Sequence, residues 1–255
     1  MTYLSGKVAI VTGAARGIGF VTVQHLLRNG VSYVAIFDVQ KPSSETVVNA
    51  LLALEKEFGK QKFGYYNCDV TDNQSFIANY EEVSKMKNYV DILVNNAGVC
   101  NENKPDLTIS TNFTAMVKCT MIAVERMGKH KGHRGGSVVN MGSIYSLTDN
   151  PLIPVYSATK HAVVSFVRSM KYHNATVGMR IMCMCPGFTR TSMSTDLVPE
   201  EVLFDFVADS NLPDAHRKKY MQSPDTVGSA IVEMLEKGKE GEVWLTQNDE
   251  SPIVV

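Results

Sequence analysis

An excess of charge of either sign is missing from this sequence of 255 residues, which has 25 lysine and arginine residues against 26 aspartate and glutamate residues and a formal net charge of −1. Proteins that bind nucleic acid or anionic membranes present clustered basic residues, so we expect neither partner. The longest segment rich in basic residues is 129–134 (KHKGHR), which we interpret as a solvated helix end and loop.

Long apolar runs and paired cysteines are also missing. No stretch approaches the roughly 18 apolar residues of a membrane-spanning helix, and the first residues (MTYLSGKVAIVTG) lack the charged start and apolar run of a signal peptide. The five cysteines are odd in number and lack CxxC spacing, which argues against a disulfide framework and a zinc site. We therefore expect a cytoplasmic protein with reduced thiols, no membrane span and no bound metal.

Apolar β-rich segments alternate with helix-period segments along the whole chain. Most of the strand segments are continuously apolar, which is typical of strands covered on both faces. We predict strands at 8–12, 33–38, 63–70, 92–95, 137–141, 180–185 and 242–246, and helices near 17–29, 43–59, 73–88, 105–130, 156–174 and 224–237. This alternation indicates an α/β fold, a Rossmann-like doubly wound parallel sheet of about seven strands in the order 3-2-1-4-5-6-7 with helices on both faces. The lack of a linker indicates a single domain over residues 1–255.

Two stretches interrupt this alternation, at 144–155 and 188–223. Long irregular stretches in a compact domain are often lids or binding loops, and both follow strands whose C-terminal ends border the ligand crevice of a doubly wound sheet. The apolar composition of 144–155 and 188–207, without a cluster of Arg or Lys, predicts a substrate with an apolar body and one reactive hydroxyl. The candidate lining residues are Ile144, Ile153, Phe188 and Met193, with further apolar side chains at Leu147, Leu152, Val155, Leu197, Val202, Leu203, Phe204 and Phe206.

A glycine-rich turn follows the first predicted strand. Residues 12–19 (TGAARGIG) lead directly into an apolar helix. Glycines permit a tight turn and the close approach of a pyrophosphate, and the N-terminus of the helix attracts the anion. With an acidic residue, Asp38, about twenty residues later, the segment has the full context of a dinucleotide-binding site.

Asp38 also distinguishes the two common dinucleotides. A carboxylate at the end of the second strand accepts hydrogen bonds from the ribose of NAD and repels the 2′-phosphate of NADP. Val39 and Gln40 offer no cation to a phosphate, whereas Arg16 in the glycine turn could reach one. We therefore expect NAD as the cofactor, with NADP as the alternative that Arg16 favours.

A second constellation has the spacing of a proton-transfer site. Tyr156 and Lys160 are four residues apart in a predicted helix, so they share one face, and Ser143 precedes the tyrosine by thirteen residues. A free tyrosine has a pKa of about 10, and a neighbouring ammonium group lowers that value. Ser143 would hold an alcohol or carbonyl oxygen in register. The other interpretation is an exposed YxxxK pair on an amphipathic helix, which is common among proteins.

These motifs together resemble those of the classical short-chain dehydrogenase/reductase family, and the likeness extends over essentially the whole chain. It is carried in family order by TGAARGIG, CDV, NNAG, Ser143, YSATK and PGFT. The resemblance implies cofactor contacts from Gly13, Arg16, Gly17, Ile18, Gly19, Asp38, Asp69, Val70, Asn96, Ala97, Gly98, Tyr156, Lys160, Pro186, Gly187 and Thr189. It implies catalysis by Ser143, Tyr156, Lys160 and Asn112, the last of which kinks a helix and joins the proton relay through water.

Within the family, GKVAIVTGAARGIG, PVYSATKHAVVSFVRS and CPGFTRT are similar to members of the 15-hydroxyprostaglandin dehydrogenase and insect alcohol dehydrogenase types. The prostaglandin enzymes carry a glutamine shortly before the catalytic tyrosine, where this chain has Leu152, Ile153 and Pro154, so a prostaglandin would lose a polar partner here. The implied reaction is hydride transfer between an apolar alcohol (aliphatic, isoprenoid, or steroid- or prostaglandin-like) and NAD, with Tyr156 as the general base.

Two alternatives stay open at this point. One is an NADP-dependent carbonyl reductase, which Arg16 favours and Asp38 disfavours. The other is a nucleotide-binding protein of the same fold without catalysis, against which the complete catalytic set argues. The family also implies a homodimer or homotetramer that forms through the long helices near 105–130 and 156–174.

Overall fold

The computed structural model describes residues 2–196, 198–208 and 221–255. Its strands are β1 (Val8–Thr12), β2 (Tyr33–Asp38), β3 (Phe63–Asn67), β4 (Ile92–Asn95), β5 (Ser137–Met141), β6 (Arg180–Pro186), β7 (Val243–Thr246) and β8 (Ile253–Val254). They form one sheet in the order β3-β2-β1-β4-β5-β6-β7-β8. Strands β1 to β7 pair in parallel, and β8 pairs antiparallel with β7.

The helices are α1 (Gly17–Arg28), α2 (Glu45–Phe58), α3 (Asn73–Lys87), α4 (Pro105–Ile109), α5 (Met116–Met127), α6 (Pro154–Met170), α7 (Asn174–Val177), α8 (Ser192–Thr195), α9 (Pro199–Val202), α10 (Asp205–Ala208) and α11 (Pro224–Lys237). A π-helical segment, Ser110–Ala115, joins α4 to α5. Ser44, Asp72 and Ser223 cap the starts of α2, α3 and α11, because their side chains accept N–H groups of the first turn.

The core consists of two apolar layers, one on each face of the sheet. Successive residues of a strand point to opposite faces, and β1 is buried along its whole length. Its Val8 and Ile10 belong to the layer that also contains side chains of α3, α5 and α6. Its Ala9 and Val11 belong to the layer that contains side chains of α1, α2 and α11. The predicted doubly wound parallel sheet with helices on both faces is therefore confirmed.

Two differences from the predicted elements have a physical reason. The third strand ends at Asn67 and not at residue 70, because the Asp69 carboxylate accepts the N–H of Thr71 in a turn that precedes α3. The strand order is as predicted, but the sheet gains β8 at its edge. A strand of two residues has no measurable hydrophobic period, so the sequence pattern does not predict it.

The α4, π-helical and α5 segments form one continuous helix, Pro105–Met127. By length and composition it is apolar enough to cross a membrane, with a mean hydropathy of 1.3, and it is the one such helix in the part of the chain that the structure describes. From the sequence we predicted that no segment would be long and apolar enough to span a membrane, and this helix differs from that prediction. In the most apolar part of this helix, 44% of the residues are buried inside the protein. Its Ala115, Cys119 and Ala123 belong to the apolar core layer that also contains Val8 and Ile10 of β1.

The predicted substrate loop, 188–223, is described at 188–196, 198–208 and 221–223. Leu197, residues 209–220 and the side chain of Phe206 lie outside the described residues. An isolated parallel bridge between Thr189 and Gln222 joins the two ends of the loop.

Within this loop, Leu203 and Val207 are buried against Ile153 in a small apolar cluster, and Tyr156 packs at its border. Segment 198–208 therefore rests on the 144–155 stretch at the C-terminal edge of the sheet. The two irregular stretches form one wall, as their positions in the sequence predict.

Candidate active site

A cavity of about 630 Å³ lies along the C-terminal ends of the parallel strands, where ligands bind in open α/β sheets. Most residues predicted for the site line it. These are Gly13, Arg16, Gly17, Ile18, Asp38, Asp69, Val70, Asn96, Ala97, Gly98, Ser143, Ile144, Ile153, Tyr156, Lys160, Pro186, Gly187, Phe188, Thr189 and Met193. Gly19 and Asn112 are not part of the lining. Of the further apolar side chains expected at the substrate end, the described lining also lacks Leu147, Leu152, Val155, Val202, Leu203 and Phe204.

The glycine turn is held against the segment that follows β4. Gly13 has a φ of +61°, and a Cβ there would lie 2.8 Å from the Cα of Ala97. The side chain of Asn96 donates to the carbonyl oxygens of Thr12 and Gly13, both at 2.9 Å. In return, the Thr12 hydroxyl oxygen accepts the N–H groups of Asn96 and Ala97 at 3.1 and 3.0 Å. The NNAG segment thus supports the turn while the start of α1 borders the cavity.

Gly19 lies inside α1, behind the cavity lining. A Cβ at this position would be 2.5 Å from both the Asn96 Nδ2 and the Gly13 carbonyl oxygen. The residue therefore permits close packing of α1 on the turn, and the cofactor contact expected for it stays a prediction.

Asp38 joins the glycine turn to the segment that follows β2. Its carboxylate is only 6% exposed; Oδ2 accepts the Ala15 N–H at 3.0 Å and Oδ1 accepts the Gln40 N–H at 3.1 Å. Val39 is 65% exposed and carries no charge. Arg16 and Asp38 both border the cavity, so the two side chains from which opposite cofactor preferences were predicted face the same space.

Side chains of β3 hold residues 38–40, which we call the ribose loop. The Asn67 Nδ2 donates to the carbonyl oxygens of Asp38, Val39 and Gln40 at 3.2, 3.1 and 2.7 Å. The Tyr65 hydroxyl donates to the carbonyl oxygens of Asp38 and Gln40. The backbone of the ribose loop is therefore fixed largely by the neighbouring strand.

Tyr156, Lys160 and Ser143 all line this cavity. The Lys160 Nζ lies 5.5 Å from the centroid of the Tyr156 ring and donates to the Met141 carbonyl oxygen at 2.8 Å. Ser143 begins a short 3₁₀ turn after β5, with its Oγ accepting the Tyr145 N–H at 3.2 Å. Lys160 is only 4% exposed, so the interpretation as an exposed YxxxK pair is wrong.

Burial dominates the electrostatics of both members of the pair. Burial, followed by the nearby Cys100 thiol, raises the pKa of the Tyr156 phenol above its ordinary value, while a hydrogen bond with Ser143 opposes this. Burial also lowers the pKa of Lys160 to about 8. The expectation that the lysine brings the pKa of Tyr156 below its ordinary value is wrong for this structure, because withdrawal from water outweighs the favourable partners.

Asn112 lies in the π-helical segment, which is the irregularity that the predicted kink implied. Its side chain is buried and bonds to Val99 at both ends of the amide, and its Nδ2 also donates to the Thr159 Oγ1 at 3.3 Å. Asn112 therefore holds a residue that lines the cavity and does not line it itself.

The cavity beyond Tyr156 is apolar. Ile144, Ile153, Phe188 and Met193 border it as predicted, and the rings of Tyr145 and Phe188 meet edge to face with centroids 5.6 Å apart. The charged residues of the described lining are Arg16, Asp38, Asp69 and Lys160. All four belong to the predicted nucleotide and proton-transfer sites, and the apolar end contributes none.

Some lining residues were not predicted, among them Val99, Cys100, Tyr145 and Met221. Val99 and Cys100 directly follow the NNAG segment, so their position after β4 was a usable signal. Tyr145 follows Ser143 closely and could have been found in the same way. Met221 reaches the cavity from the far end of the substrate loop, where no motif marks the path of the backbone.

Comparison with known proteins agrees with this geometry. Residues 7–202 match the family model of the short chain dehydrogenases. The chain is 33% identical to the NAD(+) 15-hydroxyprostaglandin dehydrogenase of Rattus norvegicus over 237 residues, which cover 92% of this chain and 88% of that protein. It is 29% identical to alcohol dehydrogenase 2 of Ceratitis cosyra over 247 residues, which cover 95% and 92%.

A solved structure assigned to the short-chain dehydrogenases, from Novosphingobium aromaticivorans, has a TM-score of 0.71 and 25% identity, and the match covers 93% of this chain and 79% of that one. The family match spans the glycine turn, the ribose loop, the NNAG segment and the Tyr156–Lys160 pair. The chain belongs to the short-chain dehydrogenase family.

Proposed function

We propose that this protein is an NAD-dependent dehydrogenase that interconverts an apolar alcohol and its carbonyl product. The observation that carries the proposal is the convergence of Ser143, Tyr156 and Lys160 in one cavity that Asp38 borders at its other end. The curated relatives named above are NAD-linked and alcohol dehydrogenases, which supports the same reaction type.

The residues of the nucleotide end fit NAD. Because Gly13 has no side chain, its backbone can lie close to Ala97, where a Cβ would clash. The start of α1 offers N–H groups to a pyrophosphate. The Asp38 carboxylate would bind the ribose hydroxyls and disfavour a 2′-phosphate. NAD, when bound, accepts or donates the hydride, and the protein supplies placement and proton transfer.

Proton transfer falls to the side chains in the middle of the cavity. The Ser143 hydroxyl would hold the substrate oxygen beside Tyr156, and the phenol oxygen of Tyr156 would take the hydroxyl proton in oxidation and return it in reduction. The Lys160 ammonium, held by the Met141 carbonyl oxygen at 2.8 Å, favours the phenolate by charge and is placed to bond the nicotinamide ribose. Asn112 would act through the backbone that it holds.

The substrate is an alcohol with an apolar body. Its end of the cavity is walled by Ile144, Ile153, Phe188 and Met193, and no cation of the described lining is left to bind a carboxylate or phosphate there. An aliphatic, isoprenoid or steroid-like alcohol therefore fits this end better than a prostaglandin, which needs a polar partner for its acid group.

The oligomeric state and the cellular location that we propose are those that the family resemblance implies. We propose a homodimer or homotetramer that forms through the long helices Pro105–Met127 and α6, since Leu107, Ile109 and Met121 leave apolar surface exposed on the first of these. All five cysteines lie within the described residues and none forms a disulfide bond, which is compatible with the proposed cytoplasmic location.

A second candidate is an NADP-linked carbonyl reductase, which the position of Arg16 on the cavity favours. Parallel assays with NAD and NADP separate the two. Purified protein would be tested for NADH or NADPH formation with short secondary alcohols, farnesol, steroids and a prostaglandin. We expect NAD-linked turnover of one apolar class.

The Tyr156→Phe variant tests the assigned base. Loss of general acid–base help lowers rates by about 10²–10⁴, so turnover should nearly vanish while NAD affinity, measured separately, stays unchanged. Turnover that survives in this variant would disprove the role of Tyr156, and a higher affinity for NADP than for NAD would disprove the cofactor assignment.

A further inference from the structure

A buried carboxylate caps the helix that carries the predicted base. Glu102 is fully buried, and it lies in the loop between β4 and α4. Its Oε1 accepts the N–H of Tyr156 at 2.9 Å, and its Oε2 accepts the N–H of Val155 at 2.8 Å. Both oxygens of one carboxylate are therefore used on the first turn of α6.

The sequence of α6 leaves these two N–H groups without a local partner. The residue before the helix, Ile153, has no side chain that can cap it, and the first helical residue is Pro154, which has no N–H. The N–H of Ser157 already bonds to the Ile153 carbonyl oxygen at 2.9 Å. Glu102, more than fifty residues away in sequence, supplies the cap that a Ser, Asp or Asn usually provides.

The loop that carries Glu102 is itself anchored on both sides. Asn112 bonds to the N–H and the carbonyl oxygen of Val99, and the Thr108 hydroxyl donates to the Asn101 carbonyl oxygen at 2.7 Å. On the other side, the Glu102 N–H donates to the Val202 carbonyl oxygen of α9 at 2.7 Å. The carboxylate is thus brought to α6 by a segment that is hydrogen-bonded to its neighbours on both sides.

We propose that Glu102 is a positioning residue that fixes the main chain of Tyr156, and with it the phenol, in the cavity. One of its two bonds is to the N–H of Tyr156 itself, so the contact acts directly on the residue assigned as the base. Its negative charge also lies at the end of α6 where the helix dipole is positive. The expected effect of Glu102 on catalysis rests on the proposed function. Its expected effect on the first turn of α6 does not.

The negative charge of Glu102 should disfavour the phenolate form of Tyr156. The groups that face the Tyr156 phenol are Ser143, Lys160, Cys100, Cys185 and Tyr145. Glu102 adds a negative charge on the main-chain side of the same residue. Removing that charge without changing its shape should stabilise the phenolate and move the acid limb of the pH profile of kcat toward lower pH.

Glu102→Gln is the decisive variant, because it keeps the shape, loses the charge and places an NH₂ group against one of the two N–H donors. We expect kcat to fall by about tenfold or more, the size of effect for one buried donor left unpaired, with the Kd for NAD unchanged within about twofold. Glu102→Asp keeps the charge and should restore the wild-type midpoint of the acid limb, even where kcat stays low. Glu55→Gln, on the exposed surface of α2, is the matched control and should behave as wild type.

Hydrogen exchange gives a readout that does not depend on turnover. Amides in a peptide spanning 153–158 should exchange faster in Glu102→Gln than in wild type or in Glu55→Gln, with far-ultraviolet circular dichroism unchanged. Unchanged exchange would overturn the proposal. Faster exchange with an unaltered kcat and pH profile would also overturn it, since the cap would then be purely structural. A wild-type protein that oxidises no alcohol would contradict the proposed function, while the exchange result would still decide whether Glu102 fixes Tyr156.

Discussion

Asn112 binds Val99 with both halves of its side-chain amide: Oδ1 accepts the Val99 N–H at 2.8 Å and Nδ2 donates to the Val99 carbonyl oxygen at 2.8 Å. The side chain therefore imitates the pairing of a neighbouring strand at the point where β4 has ended. Gly98 favours this approach, since a Cβ there would lie 3.3 Å from the Asn112 Oδ1, which is a tight contact, and 3.7 Å from the Lys160 Nζ. The backbone after NNAG is thus fixed close to Lys160.

The first prediction concerns this pairing. Asn112→Asp keeps the shape but replaces the donor to the Val99 carbonyl oxygen with a second acceptor, so one buried bond becomes a repulsion. We expect the melting temperature to fall and kcat to decrease by about ten- to a hundredfold, as for a loss of about 1–3 kcal/mol at a buried polar group. Asn103→Asp, at an exposed position in the loop that also contains Val99, is the control. Equal kcat and melting temperature in the two variants would contradict the structural role of Asn112.

The second prediction compares Gly13 with Gly6 to distinguish backbone strain at a glycine from a steric clash in the glycine turn. Gly13 and Gly6 have φ values of +61° and +75°, but only at Gly13 would a Cβ meet other atoms, with Ala97 Cα at 2.8 Å. Both Gly13→Ala and Gly6→Ala should therefore lower stability by about 1 kcal/mol or more through backbone strain. We expect only Gly13→Ala to weaken NAD binding strongly, by at least about tenfold, as measured by fluorescence titration. Comparable NAD affinity in both variants would place the pyrophosphate away from this turn.

The third prediction concerns the choice between NAD and NADP. Asp38→Ala removes the carboxylate that would repel a 2′-phosphate, so the ratio of the Kd for NADP to the Kd for NAD should fall. It also removes the acceptor of the Ala15 and Gln40 N–H groups, so NAD affinity should fall as well. Asp38→Asn keeps an acceptor without the charge and separates the two effects. A ratio that does not change in either variant would show that Asp38 does not decide the cofactor.

The fourth prediction uses the pH dependence of folding stability. Burial lowers the pKa of Lys160 to about 8 in the folded protein, whereas an unfolded lysine titrates near about 10.4. Between these two values the unfolded chain binds more protons than the folded one, so Lys160 makes stability rise with pH over that window. Below about pH 8 both states are protonated and the penalty for burying the ammonium is fully present.

Lys160→Met lacks this titration. The free energy of unfolding of wild type minus that of Lys160→Met should therefore increase between about pH 8 and pH 10, by on the order of 2 kcal/mol. Urea unfolding at a series of pH values measures it, and the difference cancels the titration of other groups. A flat difference over the window would mean that Lys160 keeps its ordinary pKa in the folded state.

Much of the fold could be predicted because its determinants are local. Runs such as 8–12 and 92–95 are continuously apolar, and the strands there have the predicted bounds. The site could be predicted because its chemistry lies at strand ends and on one helix face. Gly13 and Asp38 each follow or end a strand, and the Tyr156–Lys160 spacing is a helical turn.

The features that could not be predicted depend on contacts between segments that are distant in sequence. Nothing around Glu102 marks it as the cap of α6, because its partners are more than fifty residues away. The same holds for Asn67, whose amide acts on a different strand. The influence of burial on Tyr156 could not be predicted either, since it depends on how closely segment 198–208 packs against Ile153 and the tyrosine.

The way in which β3 holds the ribose loop has a consequence for the evolution and engineering of this enzyme. Asn67 and Tyr65 bond to carbonyl oxygens of the loop, which are present whatever side chains the loop carries. Exposed positions such as Val39 can therefore mutate, for example to arginine, without a change in the path of the backbone. We therefore expect single substitutions here to change the coenzyme preference, provided that Asn67 and Tyr65 are left in place.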